Sequence, residues 1–407
     1  MLTTTGALVA ALRPSRTHAR AVERGPMHPV LLACALLAST EFGDHVGVLL
    51  SDSDDASKAT AARALYDSAV DDTVRAAIAA QGAIPPLVEL VRSGEANSKE
   101  QAASALFAVA FNDNVKTMVF EAGGIEPLVK LASSSVTEEA TKMSLGALGL
   151  LASSSNDAAQ SSIVQAGGVD MLVDLAGSGA DSAKGLAAEL IGMLAPIEAN
   201  NKAIVEAGAI PVLVTLLLSG VGFQKDRAAG ALWNLAALES TSLAITEAGG
   251  ISGLVTLLKD GNEEEQSKSV GALWKLAAPE ASRAEIVKLG GIKLLIELVR
   301  TNKHSYSKQQ ACGLLGVLAL NNKANQKAIT TSGGKLVLEK VARDAKLPER
   351  LRYLAARAFH ALENDVLTDE QAAAAMAAAA EVEGAKAEGS KAEEATEKEE
   401  ATEKEEL

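Results

Sequence analysis

Residues 200–236 read NNKAIVEAGAIPVLVTLLLSGVGFQKDRAAGALWNLA, and this stretch contains one complete structural unit. A short polar segment ends at Gly208, and an apolar segment starts with Pro211 just beyond it. Glycine readily adopts the left-handed conformation that ends a helix, and proline is tolerated in the first turn of the next helix. A break at Ser219-Gly220 precedes a longer segment rich in alanine and leucine. The stretch therefore predicts three successive helices.

Two motifs of this unit recur along the chain at one period. The turn glycine returns every 41 to 44 residues, at Gly82, Gly123, Gly167, Gly208, Gly249, Gly290 and Gly333. The residue after it varies between glycine and alanine, which indicates that only the first position must adopt a positive φ. The Ala-Leu motif of residues 231–236 keeps the same register at 105–110, 147–152 and 272–277. Two motifs in register indicate stacked repeats.

The pattern resembles the armadillo repeat, whose units have the same short helix, glycine turn, Ile-Pro start and Ala-Leu-x-Asn-Leu-Ala third helix. This resemblance implies an all-α fold, a right-handed superhelical armadillo-repeat solenoid of about eight three-helix repeats. We count a first repeat with a degraded turn at Gly43-Asp44, six regular repeats, and a last repeat that ends at residues 358–362. The predicted solenoid occupies residues 27–363.

Both flanking segments differ from the repeats in composition. Residues 1–26 contain several arginines, as an organelle transit peptide does, but the short apolar stretch 6–12 favours a disordered amino-terminal arm. Residues 364–407 begin with an alanine run that predicts a helical extension. They end in an acidic, disordered tail, in which residues 381–407 carry half of the net charge of −14.

Composition excludes several classes of protein. An acidic chain without a Lys/Arg-rich block repels phosphate backbones, so we expect no nucleic-acid partner. The longest strictly apolar runs, Val30–Ala38 and Ala372–Ala380, are too short to span a bilayer, so we expect no transmembrane segment. Cys34 and Cys312 lie in separate apolar stretches, which favours a reducing compartment over a disulfide. We expect a cytoplasmic or nuclear location, with organelle import as the alternative.

The chemistry-bearing residues form no recognisable catalytic set. Gly334-Lys335 lacks the rest of a phosphate-binding loop, and the five histidines are scattered without cysteine or carboxylate at ligand spacing. The carboxylates cluster at helix starts, as in residues 262–265, where capping and the helix dipole explain them. We therefore expect no enzyme, no cofactor and no bound metal.

The resemblance to armadillo proteins implies a groove lined by the third helices, where an Asn of each repeat binds the backbone of a partner peptide. Only Asn234 matches that position in this chain, and Lys275 takes it in the next repeat. The importin-α branch also requires a Trp four residues earlier, where this chain has Gly230 and Gly271. A nuclear transport adaptor is therefore disfavoured.

We call the positions equivalent to Asn234 in successive repeats the Asn column. A tryptophan stands directly before this column in two repeats, as in repeats that look like those of β-catenin, the yeast vacuolar armadillo protein and plant U-box ligases. Trp233 and Trp274 either pack between neighbouring third helices or face a ligand, and the sequence leaves both readings open. Arg227 and Lys268 each lie seven residues before a column position and share its helix face. The candidate groove residues are Tyr66, Phe107, Leu150, Met193, Arg227, Trp233, Asn234, Lys268, Trp274 and Lys275.

The sequence thus predicts a monomeric, non-catalytic scaffold or adaptor that binds other proteins through their extended or helical segments. The basic residues and the apolar positions at Leu150 and Met193 predict partner segments that are acidic and apolar. The alternative function is the substrate-recognition subunit of a ubiquitin ligase. Because no U-box-like segment precedes the repeats, ligase activity would require another subunit.

Overall fold

The computed structural model describes residues 42–134, 136–153, 157–237 and 239–363, which form helices joined by short turns without any strand. The predicted all-α solenoid of three-helix repeats is confirmed. The chain divides into two compact bodies, Met1–Ala122 and Gly123–Leu407. The predicted arm at 1–26 and the predicted extension and tail at 364–407 lie outside the described residues.

The first body contains repeats one and two and the first helix of repeat three. Its helices are residues 42–50, Asp55–Ser68, Asp72–Ala80, Ile84–Ser93, Ala96–Val109 and Asp113–Glu121. The third helices of repeats one and two, Asp55–Ser68 and Ala96–Val109, pack against each other.

The turn that the sequence predicts for repeat one is misplaced. Gly43 and Asp44 lie inside the helix 42–50, and Gly43 is not among the glycines with positive φ. Phe42, Val46 and Leu49 are buried at helical spacing, which is the burial pattern of a second helix. Gly43 fits the turn pattern in the sequence only because it is the glycine nearest to one repeat length before Gly82.

The second body contains the rest of repeat three and repeats four to eight. Its first helices are Asp157–Gln165, Glu198–Glu206, Glu239–Glu247, Glu280–Lys288 and Lys323–Thr331. Its second helices are Ile125–Ser133, Gly168–Ser178, Ala209–Ser219, Gly250–Asp260, Gly291–Thr301 and Gly334–Arg343. Its third helices are Glu138–Ser153, Asp181–Leu194, Phe223–Leu235, Glu263–Leu276, Ser305–Ala319 and Glu349–Glu363.

A left-handed glycine separates the first helix from the second in each regular repeat. The seven predicted turn glycines all have positive φ, between 70° and 85°. At Gly208 the turn bends the chain by 77° between Glu198–Glu206 and Ala209–Ser219. A Cβ at Gly249 would meet no atom within 4 Å, so the backbone conformation alone requires glycine there.

The residue after the turn is also constrained, which the sequence did not predict. In repeat six, a Cβ on Gly250 would lie 2.6 Å from the Ile245 Cγ2 and 2.9 Å from the Ile245 carbonyl oxygen. The second helix therefore begins in close contact with the first. In repeats two and five the same position holds a fully buried alanine, Ala83 or Ala209, so the spacing of the two helices must differ slightly there.

Small side chains let the third helices of neighbouring repeats pack closely. In repeat five, Ala228, Ala229 and Ala231 are buried, and Leu232 and Leu235 complete the same core face. The third helix Phe223–Leu235 packs against the third helices on both sides, Asp181–Leu194 and Glu263–Leu276. At the start of the latter, the Asn262 side chain accepts hydrogen bonds from Glu264 and Glu265, which confirms the predicted capping.

Polar side chains of the first helices satisfy carbonyls at the ends of the preceding third helices, which have no partner within the helix. The Asn201 Nδ2 donates to the carbonyl of Ala195, at the end of the preceding third helix, at 3.2 Å, and also to that of Leu235, at the end of the third helix of its own repeat, at 3.4 Å. Different residue types do the same elsewhere: Gln160 to Ala152, Ser242 to Ala236, Arg283 to Ala277, and Gln326 to Ala319. We call these side chains the inter-repeat donors, since each joins one repeat to the previous one.

Substituting the two glycines of repeat six should destabilise the fold for different reasons. Gly249→Ala forces an alanine to a φ of 85° and should cost about 1–2 kcal/mol. Gly250→Ala crowds Ile245 and should cost a similar amount, about 1–3 kcal/mol. Urea unfolding followed by circular dichroism measures both.

The matched control is Gly149→Ala in the third helix of repeat three, where a Cβ would meet no atom within 4 Å. This change should stabilise by about 0.5–1 kcal/mol, because alanine favours helix. If Gly249→Ala and Gly149→Ala had the same effect, the requirement for a left-handed residue at 249 would be refuted.

Asn201→Leu should cost roughly 2 kcal/mol or more, because it leaves two buried carbonyls without a donor. Its neighbour Asn200 is equally buried, at 3% exposure, but its Nδ2 forms no hydrogen bond with the described residues. Asn200→Leu should therefore cost much less in the same unfolding measurement. Equal losses for the two variants would show that the hydrogen bonds of Asn201 contribute nothing specific.

Candidate functional site

The third helices of repeats four to six enclose an open cleft of about 520 Å³ in the second body. This volume lies within the range of roughly 300–1,000 Å³ that is common for binding sites. The residues that line it are Glu189, Gly192, Met193, Pro196, Asp226, Arg227, Gly230, Ala231, Trp233, Asn234, Ala237 and Lys268. Five of the ten predicted groove residues therefore lie together here.

Small and apolar residues and Asn234 lie between two charged pairs in this cleft. Met193 and Trp233 are half-buried, and Gly230, which is also half-buried, has no side chain to cover the backbone of the third helix. A Cβ on Gly230 would have only the Lys268 Cδ within 4 Å, at 3.9 Å. The cleft thus offers apolar contact at its centre and hydrogen-bonding groups at its edges.

The basic residues of the cleft are paired with carboxylates. The Arg227 Nη1 lies 2.5 Å from the Glu189 Oε1, and the Lys268 Nζ lies 2.5 Å from the Asp226 Oδ2. Lys268 also reaches Glu264 at 3.1 Å, and the hydrogen bond and charge of Lys268 lower the pKa of that carboxyl group. The predicted basic stripe is therefore largely neutralised within the protein.

Sequence reasoning missed these carboxylates, although the sequence contained a signal for them. Glu189 and Arg227 are 38 residues apart, and Asp226 and Lys268 are 42 apart. These separations are close to one repeat, so both pairs join neighbouring third helices. Opposite charges about one period apart in the third helices would have identified them.

Asn234 lies in the cleft and bonds the chain itself. Its Nδ2 donates to the carbonyl oxygen of Gly192, in the third helix of repeat four, at 2.9 Å. The expected bond to a partner backbone therefore competes with an intramolecular bond. Among the described residues the structure shows no donor to the Asn234 Oδ1, which leaves this oxygen able to accept from a bound segment.

Both tryptophans pack against a glycine of the next third helix. A Cβ on Gly271 would lie 3.1 Å from the Trp233 Cε2, and one on Gly313 would lie 2.7 Å from the Trp274 Cε2. These glycines are the positions where an importin-type Trp would stand. Packing between third helices, one of the two interpretations of the sequence, is thus shown for both rings, and each ring is half-buried.

Two further side chains surround the Trp233 ring. The Lys275 Nζ lies 5.7 Å from the ring centroid, which places a cation against the indole. The Tyr306 ring, from the third helix of repeat seven, lies 6.4 Å away at a tilt of 45°. Trp233 therefore connects the third helices of repeats five, six and seven.

The remaining candidate residues are not among those that line the cleft. Leu150 is half-buried in the third helix of repeat three. Tyr66 and Phe107 belong to the first body, where Arg63 lies 5.0 Å from the Tyr66 ring and Phe111 lies 5.1 Å from the Phe107 ring. The structure does not place these two residues in one site with the cleft.

The described part of the chain contains no group of three or more His, Cys, Asp or Glu side chains that could hold a metal ion. Cys312 is buried, and burial raises the pKa of its thiol to about 12. No single helix within the described ranges is long and apolar enough to cross a membrane. Three pairs of helices, each bent at a short break, reach the required length and apolar composition only when the two helices are taken together.

These features define an α-solenoid of stacked three-helix repeats with a cleft along its third helices. The family model of the plant U-box protein ARM repeat region matches residues 64–268, which is half of the chain. The chain therefore belongs to this armadillo-repeat family. None of the curated proteins matches its sequence.

Solved structures support the same assignment. The crystal structure of an engineered protein is 32% identical, with a TM-score of 0.74, and the alignment covers 81% of this chain and 83% of the other. A designed armadillo repeat protein in complex with the peptide (KR)4 is 27% identical, with a TM-score of 0.53, over 58% of this chain and 99% of the other. The chain is also similar, at 27% identity and a TM-score of 0.54, to computationally designed armadillo repeat proteins for modular peptide recognition, over 57% and 99% of the two chains.

The contact between tryptophan and glycine can be tested by fluorescence. In a Trp233→Phe background, Trp274 is the remaining tryptophan, since the chain has two. Adding Gly313→Ala should displace the indole towards water and shift its emission to longer wavelength. Gly230→Ala is the control, because its Cβ would touch no ring. An unchanged emission maximum with Gly313→Ala would contradict the packing.

Proposed function

We propose that this protein is a non-catalytic scaffold that holds a segment of a partner protein in the cleft of repeats four to six. The observation that carries the proposal is the cleft itself, where Met193, Trp233 and Asn234 converge between two ion pairs. The similarity to designed armadillo proteins for modular peptide recognition supports binding of peptides as the general mode.

Apolar contact should contribute more to binding than charge. Arg227 and Lys268 are each engaged by a carboxylate, so they offer little net attraction to an acidic partner. The expectation of an acidic partner therefore loses the support of these two residues, whereas the apolar part of that expectation is retained. Aromatic and apolar side chains that enter a well-packed cleft supply most of the affinity in such interfaces.

Substrate recognition for a ubiquitin ligase is the second candidate function. The match of residues 64–268 to the plant U-box ARM repeat region favours it. In that case the segment held in the cleft would belong to the protein to be modified. Both candidates use the same cleft and differ in what the bound partner or an associated subunit does next.

A peptide display selection on the intact chain tests the proposal. Peptides selected on the parent should bind the variant Met193→Glu at least about tenfold more weakly, since a carboxylate would be desolvated in the cleft. Fluorescence anisotropy of the labelled peptides measures this loss.

The control is Leu218→Glu, which introduces the same charge at a side chain that is 51% exposed and lies outside the cleft lining. It should bind like the parent, and both variants should retain the parent melting curve in circular dichroism. If the selected peptides bound Met193→Glu as tightly as the parent, the cleft would not be the binding site.

A further inference from the structure

The two tryptophan contacts define a repeated unit of packing across the third helices. In repeats five and six, the indole of one repeat lies over the glycine of the next, as Trp233 over Gly271 and Trp274 over Gly313. Each pair consists of a ring at the position before the Asn column and a glycine four residues before that column in the following repeat. The glycine leaves the space that the ring fills.

One step earlier, the glycine is present and the ring is missing. Gly230 is the counterpart of Gly271 and Gly313, but the tryptophan position of repeat four is Gly192. Among the residues that the structure describes, no aromatic atom lies within 4 Å of a Cβ built on Gly230. The open cleft of about 520 Å³ lies here, bounded by Gly192, Gly230 and Asn234.

The chain itself cannot readily supply a ring at this point. A Cβ on Gly192 would lie 3.0 Å from the Ala231 Cα and 3.4 Å from the Ala231 Cβ, because the third helices of repeats four and five approach closely there. A ring over Gly230 therefore has to come from outside the two helices.

The charges around the cleft favour a neutral occupant. Arg227 pairs with Glu189, and Lys268 pairs with Asp226, so the four charged groups compensate one another. The ion pairs also hold the Lys268 methylenes 3.9 Å from a Cβ on Gly230, where they present an apolar edge. Met193 adds a thioether, which makes favourable contacts with aromatic rings.

We infer that the cleft binds an aromatic side chain of the partner segment, of indole or phenyl type, in the place that Trp233 and Trp274 occupy in the next two repeats. The ring lies over Gly230, with Asn234 on one side in the position that Lys275 has relative to Trp233. This inference rests on the proposed function and adds the chemistry of the residue that anchors the partner.

The test uses the intact chain and a small probe, N-acetyl-fluorotryptophan amide, observed by fluorine NMR. The parent should bind the probe with half-saturation on the order of 1 mM, as expected for one buried side chain without the rest of a peptide. Unlabelled N-acetyl-tryptophan amide should displace it, and N-acetyl-leucine amide should not.

Gly230→Leu fills the cleft at a position where the added Cβ meets no atom closer than 3.9 Å. It should weaken probe binding about tenfold or more. Gly149→Leu, the same change at an open helical glycine of repeat three, should leave binding unchanged. Both variants should melt at or above the temperature of the parent, because leucine is a better helix former than glycine.

The outcomes separate this inference from the proposed function. If the parent shows no binding at probe concentrations several times the expected half-saturation value, the inference that the cleft binds an aromatic side chain is refuted. It is also refuted if Gly230→Leu binds the probe like the parent. The scaffold function would still stand if display-selected peptides bound the parent and lost affinity with Met193→Glu. If the parent bound the probe and Gly230→Leu did not, but the display selection on the parent yielded no peptides that bind in the cleft, the proposed function would be refuted.

Discussion

The left-handed glycine between the first and second helices is the constraint on which the rest of each repeat depends. The chain turns by 77° across Ala207 and Gly208, so the second helix starts against the side of the first. Any residue with a Cβ would oppose that backbone conformation. Because the turn sets the direction of the second helix, it also sets where the third helix lies and which of its faces packs against the next repeat.

The sequence predicted these regular features because each has a local cause. The turn needs glycine whatever surrounds it, and the third helices need alanine at fixed spacing, so both leave a periodic trace. The features that sequence reasoning missed depend on packing between helices. Gly250 is required by contact with Ile245, and the inter-repeat donors vary from Ser242 to Arg283 because any side chain that reaches the carbonyl suffices. Such variation removes the periodic signal.

Five of the ten predicted groove residues line the cleft, whereas the electrostatics of the cleft were not predicted. Met193, Trp233 and Asn234 do lie in one cleft, as the helical register requires. The carboxylates that neutralise Arg227 and Lys268 come from positions that the Asn column does not include. Tryptophan and glycine are complementary across neighbouring repeats, so replacing one of them changes the shape of the cleft as well as its chemistry.

The inter-repeat donors also determine how the protein would respond to force. Each donor joins one repeat to the end of the previous third helix, as Asn201 does to Ala195, so the donors lie in series along the second body and a pull on its two ends puts the same force on every boundary between repeats. No single bond shares its load with a distant repeat, since contacts are with neighbours. Because each boundary involves only neighbouring repeats, we expect the second body to extend in steps of one repeat and to recover in the same steps.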